Sequence, residues 1–188
     1  MGSLSLYCRI ETVPPVLIDL CCGKRFGWTR GFVAEGWHAI GFDIEPVPDY
    51  PGEFHQQDVR TLSGKSLART YSPAVFVASP PCQEFTRQML PWTKAKNPPE
   101  PDLSIIEACQ RIAREAGLPL VMENVRKAQD YIGTAKAHYG SRYLWGDIPP
   151  LLPLAEPSRK EHLSSTAVAE RSEIPFELSS YIARVFKP

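Results

Sequence analysis

Cys82 follows the apolar run Ala74-Val75-Phe76-Val77-Ala78 almost directly, within the segment Ser79-Pro80-Pro81-Cys82-Gln83. The two prolines have no N–H donors and fix the backbone direction, so a strand cannot continue its ladder through them. The next side chain is therefore presented at a strand end on a rigid support, where a thiolate can act as a nucleophile. Free cysteine is also a common small core residue, and Cys82 alone admits both readings. Glu123, in Glu123-Asn124-Val125, ends the apolar run that begins at Leu118. A carboxyl at that position loses hydration, which raises its pKa and suits it to act as an acid or hydrogen-bond donor. A glutamate at the sheet edge that caps the following segment is the plainer reading. A thiol and a carboxyl on two strand ends of one sheet make an active-site pair, and the two signals together outweigh either alone.

A third constellation is Asp19-Leu20-Cys21-Cys22-Gly23, followed by Gly27 and Gly31, with Asp43 twenty residues after Gly23. A strand, a glycine turn, a helix and an acid ending the second strand suit an adenosine-type ligand, whose ribose hydroxyls the acid takes. Two stretches are basic: residues 85–98, with Arg87, Lys94 and Lys96, and residues 126–142, with Arg126, Lys127, Lys136 and Arg142 against Asp130 alone. Each offers a local surface for phosphates. Tyr139, Tyr143 and Trp145 lie beside the second stretch, either as base or sugar contacts or as buried core aromatics. Cys21, Cys22 and Cys109 read as core, and neither they nor His138 and His162 have the spacing of a zinc site. No metal is expected.

These groups need a scaffold that brings strand ends together. Val16 to Leu20, His38 to Phe42 and Ala74 to Ala78 read as strands, and a third short strand is expected to lead into Gln57-Asp58-Val59. Leu118 to Met122 reads as another buried strand. Helical patterns intervene at Trp28 to Glu35, stopped by Gly36, and at Leu103 to Ala116, with Asp102 as N-cap and Gly117 as C-cap. Strands separated by helices predict an α/β, doubly wound, mostly parallel sheet. In such sheets the ligand site lies beyond the carboxyl ends of the strands, where Asp43, Cys82 and Glu123 all fall.

Composition sets the outer bounds. The 188 residues suffice for one ordinary domain. Lys+Arg and Asp+Glu both number 21, so no global positive field draws the chain to nucleic acid, and only local basic surface could. No apolar run approaches the roughly 18 residues of a membrane span, and the N-terminal segment lacks the apolar stretch of a signal peptide. An odd count of five cysteines, two of them adjacent, argues against a disulfide framework and for a reducing, cytoplasmic setting. A monomer is expected. Proline, at 19 residues, is about twice its usual share and is concentrated in three loop stretches.

In this order the motifs resemble the cytosine-C5 DNA methyltransferases, with compact, phage-type members the nearest in form. DLCCG (19–23) is similar to the S-adenosylmethionine (SAM) loop, SPPCQEF (79–85) to the catalytic loop, and ENV (123–125) to the segment of the catalytic glutamate. The resemblance spans about residues 16 to 186 and implies a Rossmann-like SAM-dependent methyltransferase fold. Lys24-Arg25-Phe26 stand where the family has paired glycines, the QxRxR segment that usually follows ENV is not evident, and Ser179-Ser180 stand near the usual Asn of the final motif.

Carried over, the resemblance implies that Cys82 attacks C6 of a flipped cytosine in double-stranded DNA and that Glu123 serves N3. Arg126 or Arg142 would fill the missing arginine role. SAM would be held by Asp19, Leu20, Cys21, Gly23, Gly27, Asp43 with Ile44, Asp58 with Val59, Pro80 and Ser180. DNA would meet Gln83, Arg87, Lys94, Lys96 and Arg142. Residues 85–104 are the implied catalytic loop, residues 139–172 a reduced target-recognition region suited to a site of about two to four base pairs, and residues 174–186 a helix completing the cofactor pocket. The rival enzymatic reading is an amino-group methyltransferase acting on cytosine N4 or adenine N6, which needs an aromatic residue where Cys82 stands. A rival from another class is a catalytically silent DNA- or SAM-binding protein. RNA in place of DNA is the smaller variant of the enzymatic reading.

Overall fold

The computed structural model describes residues 13–86, 100–151 and 173–188. Arg87, Lys94 and Lys96, and most of the expected recognition region, lie outside the described residues. Seven strands form one sheet: β1 (Val16–Leu20), β2 (His38–Asp43), β3 (Glu53–Gln56), β4 (Val75–Ala78), β5 (Leu120–Asn124), β6 (Ala137–Tyr139) and β7 (Arg142–Gly146). Their order is β3-β2-β1-β4-β5-β7-β6. The first five are parallel, while β7 runs antiparallel to β5 and β6 antiparallel to β7. This is the expected α/β, doubly wound, mostly parallel sheet of Rossmann-like form. The chain winds outward from β1 to β3 and returns to β4 beside β1, so the order reverses between β1 and β4, where such sheets open a ligand crevice.

Strands buried on both faces need apolar side chains at every position, and β1 and β4 read that way apart from Asp19. Side chains alternate between faces along each strand. Ile18, Leu20, Phe76, Ala78 and Met122 pack against α2 (Gly64–Tyr71) and α4 (Ser104–Ala116) on one side. Leu17, Val75, Val77, Val121 and Leu144 pack on the other side against α1 (Gly27–Ala34) and the C-terminal helix, α6 (Phe176–Phe186). Two further short helices lie among the described residues, α3 (Gln83–Thr86) and α5 (Gln129–Ile132). Among the described residues, no helix is long and apolar enough to cross a membrane.

The third strand ends at Gln56 and leads into Gln57-Asp58-Val59 as expected, and Asp58 turns the chain there by capping the 3-10 turn Val59–Thr61. Asp102 sits one residue ahead of the N-cap position, Leu103, yet its Oδ1 still accepts from Ser104 N at 2.8 Å. Tyr139, where the expected recognition region begins, ends β6, and Arg142 to Gly146 form β7 of the same sheet. Tyr139 and Trp145 are buried, and Trp145 Nε1 donates to Gly133 O at 2.8 Å. The aromatic cluster is core at those two positions, and Tyr143 stacks on His138.

Candidate active site

The carboxyl ends of β1, β2, β4 and β5 gather the chemistry-bearing side chains. After β4 the prolines turn the chain, and the Cys82 carbonyl accepts from Phe85 N and Thr86 N, so Cys82 begins α3. Asn124 Nδ2 donates to Pro80 O at 3.0 Å, which ties the end of β5 to the Pro-Pro turn. That bond joins the two motifs physically. Glu123, one residue earlier, alternates to the α1/α6 face with Val121.

Arg142 lies diagonally across the β5–β7 pairing, in which Glu123 faces Leu144. Its Nη1 is 3.8 Å from Glu123 Oε1, with both side chains 9% exposed. Burial raises Glu123 from 4.5 to about 7, and Arg142 draws it partly back. Burial also raises the Cys82 thiol, the Glu123 charge adds to the rise, and Arg142 opposes it. The half-buried Cys82 therefore shares one electrostatic environment with Glu123 and Arg142. Arg142 is itself buried beside Glu123, so its guanidinium adds little to a solvated basic surface. Arg126, the other candidate for the missing arginine, is exposed on the turn after β5. Lys127 is paired with Asp130 at 2.6 Å, so the second basic stretch is reduced at the surface mainly to Arg126 and Lys136.

The turn after β1 is held from β2. Asp43 Oδ2 accepts from Gly23 N at 2.9 Å and Oδ1 from Glu45 N at 2.9 Å, so Asp43 braces the loop. A carboxylate with two bonds still has lone pairs for ribose hydroxyls. Gly23 has a φ of +62° and no atom within 4 Å of where a Cβ would be, so the space above the turn is open. Ile44, next to Asp43, is 63% exposed and leaves an apolar surface suited to an adenine face. Ser79 Oγ is buried without a hydrogen-bond partner among the described residues, at the end of β4. Open backbone, an acid, a bare apolar face and an unpaired hydroxyl together fit SAM.

Other expected ligand contacts serve different ends. Leu20 and Val59 have their side chains in the core and present no surface to a ligand. Asp19 is buried on the α1 side, where its Oδ2 accepts from Thr29 Oγ1 at 2.7 Å, and Thr29 in turn meets Tyr50 OH at 2.6 Å. Cys21 is partly buried against the core, where the neighbouring Cys109 thiol and burial raise its own thiol well above the usual range. Asp58 is forked by Arg60 at 2.6–3.0 Å, so its carboxylate is already engaged. Gly27 permits close packing: a Cβ there would stand 2.7 Å from Ile174 N. Ser180 faces Glu35 at the far end of α1, and its hydroxyl donates to that carboxylate. The parallel course of α6 along α1 takes Ser180 away from the strand ends and brings Glu173 and Ile174 toward them. Gln83 is exposed at the start of α3. Sequence reasoning missed Thr29, Tyr50 and Glu173, whose partners are set by helix packing and by a distant return of the chain.

No protein-family model matches the chain, and no curated protein does. Among solved structures it is similar to two crystal structures of the antibiotic-resistance methyltransferase Kmr, at 16% and 17% identity over 90% of this chain. These cover 75% and 76% of that protein, with a TM-score of 0.34 for each. It is also similar to the V8 variant of an imine reductase from Myxococcus stipitatus in complex with NAD+, at 13% identity and a TM-score of 0.31. That match covers 64% of this chain, which spans 44% of the reductase's length. At these values the likenesses carry no detail of the site, and the fold class stands on the observed strand order.

Proposed function

We propose that the chain is a SAM-dependent methyltransferase that methylates cytosine C5 in double-stranded DNA. The observation that carries this reading is the joining of the Pro-Pro-Cys turn to the Glu-Asn strand end through the Asn124–Pro80 bond, with buried Arg142 beside Glu123. A nucleophile, an acid that is half-protonated near neutral pH and a fixed cation are what addition across a cytosine 5,6-bond requires.

The Cys82 thiolate forms a bond to C6, and the electron pair of the 5,6-bond becomes available at C5. Glu123 donates its proton or a hydrogen bond to N3, stabilising the charge that develops on the ring. Arg142 fixes the Glu123 carboxyl and favours the thiolate by its positive charge. SAM, when bound, would supply the methyl group that C5 takes up and would depart as S-adenosylhomocysteine. Transfer of the C5 proton to solvent water then restores the 5,6-bond as the Cys82–C6 bond breaks, regenerating the thiolate. Within a duplex the base must first leave the stack, at a cost of a few kcal/mol. SAM itself would be held by the Gly23 turn, Asp43 and Ile44.

The test is a covalent trap. DNA carrying 5-fluorocytosine cannot lose the C5 substituent, so a stable protein–DNA adduct is expected with the wild type and none with Cys82→Ser. Full methylation by the Cys82→Ser variant would overturn the mechanism. Nucleoside mass spectrometry of treated DNA should show 5-methylcytosine; N4-methylcytosine or N6-methyladenine would replace this reading with amino-group transfer.

A further inference from the structure

The loop between β1 and α1 holds Lys24, Arg25 and Phe26 between Gly23 and Gly27. Phe26 has a φ of 37°, a left-handed conformation that a bulky residue keeps only where its surroundings hold it. Two charged ties reach this loop. Lys24 Nζ is 2.8 Å from Glu45 Oε2, but these side chains are 68% and 63% exposed, and water screens such a pair heavily. Arg25 Nη1 is 3.5 Å from Glu173 Oε2, while Arg30 of α1 engages Glu173 Oε1. The Glu173 side chain is only 21% exposed. A carboxylate that takes a guanidinium on each oxygen constrains both. Its chain neighbour Ile174 is packed on Gly27, so the start of α6 is locked against the start of α1.

We propose that Glu173 is a positioning residue that sets the geometry of the cofactor loop through Arg25 and Arg30. Glu173 contacts none of the reacting atoms. The inference rests on the methyltransferase reading, with S-adenosylhomocysteine (SAH) as the probe of the cofactor site.

Calorimetric titration of the full chain with SAH, with kcat and KM measured on DNA, tests it. Glu173→Gln is expected to weaken SAH binding about tenfold and to lower kcat, a coupling of ordinary size between linked sites. Glu173→Asp should recover most of both, and Glu45→Gln should change SAH affinity by less than about twofold. Arg25→Gln, which leaves the Arg30–Glu173 pair in place, should also weaken SAH and carries the test should Glu173→Gln fail to fold. A wild type that binds no SAH overturns the cofactor reading and this inference with it. A wild type that binds SAH, with folded Glu173→Gln or Arg25→Gln binding equally well, overturns this inference alone.

Discussion

Burial acts on two acids in this sheet, with different consequences. Glu123 keeps a proton to about pH 7 within reach of Arg142 and the Cys82 environment, and its charge opposes ionisation of the thiol. Glu123→Gln removes that charge, so Cys82 should alkylate faster with iodoacetamide, by about threefold to tenfold at pH 8. Site-resolved mass spectrometry separates Cys82 from the other cysteines; an unchanged or slower rate would contradict the electrostatic coupling. Asp19 is raised from 3.8 to about 7, chiefly by burial, and has one carboxyl oxygen unpaired among the described residues. Its folded pKa exceeds the unfolded one, so its stabilising contribution is full below about pH 4 and is lost as pH rises through about 7. The difference corresponds to about 4 kcal/mol. Urea denaturation from pH 4 to pH 8 should show a falling Asp19 contribution that Asp19→Asn abolishes.

The decisive element contact is α1 against α6. Gly31 lies where α6 approaches most closely: a Cβ there would be 2.3 Å from Ser179 Oγ and 2.4 Å from Ser180 N. The second of these is backbone and cannot swing aside. Overpacking of this kind costs about 1–3 kcal/mol, and the helix preference for alanine over glycine returns at most about 1 kcal/mol. Gly31→Ala should therefore lower Tm by about 2–8 °C, measurable by thermal denaturation. Gly27 and Gly31 stand one helical turn apart, and their spacing was visible in the sequence. Its meaning was not, because a glycine after a Rossmann-type turn reads equally as a ligand cradle or as a helix-packing groove. The partner that distinguishes the two follows after more than a hundred further residues.

At the scale of the molecule, equal numbers of acids and bases leave DNA affinity to local surface. Arg142 is buried with Glu123 and Lys127 is paired with Asp130, so the segment after ENV offers less phosphate-binding charge than its composition suggests. The proposed DNA contact then leans on Arg87, Lys94 and Lys96. Replacing all three with Gln should reduce the slope of log affinity against log salt by about 2.7, at roughly 0.9 per phosphate. Arg142→Gln should leave that slope nearly unchanged while lowering kcat. Fluorescence anisotropy at several salt concentrations measures both, and an unaltered slope in the triple variant would remove those three residues from the interface.

The strand ends that carry Asp43, Cys82 and Glu123 were legible because apolar runs, prolines and helix-stopping glycines are local signals. A short peptide already favours those conformations. The same local chemistry sets Cys82 and Glu123 on one edge of a parallel sheet. What Arg142, Ser180, Gly27 and Glu173 do was decided only in three dimensions. Arg142 joined Glu123 because β7 inserts antiparallel beside β5, and Ser180 left the ligand end because α6 runs parallel to α1. The type of a charged or small residue limits what it can do, but burial and its partners decide what it does. Both are properties of chain segments that meet only in the folded sheet.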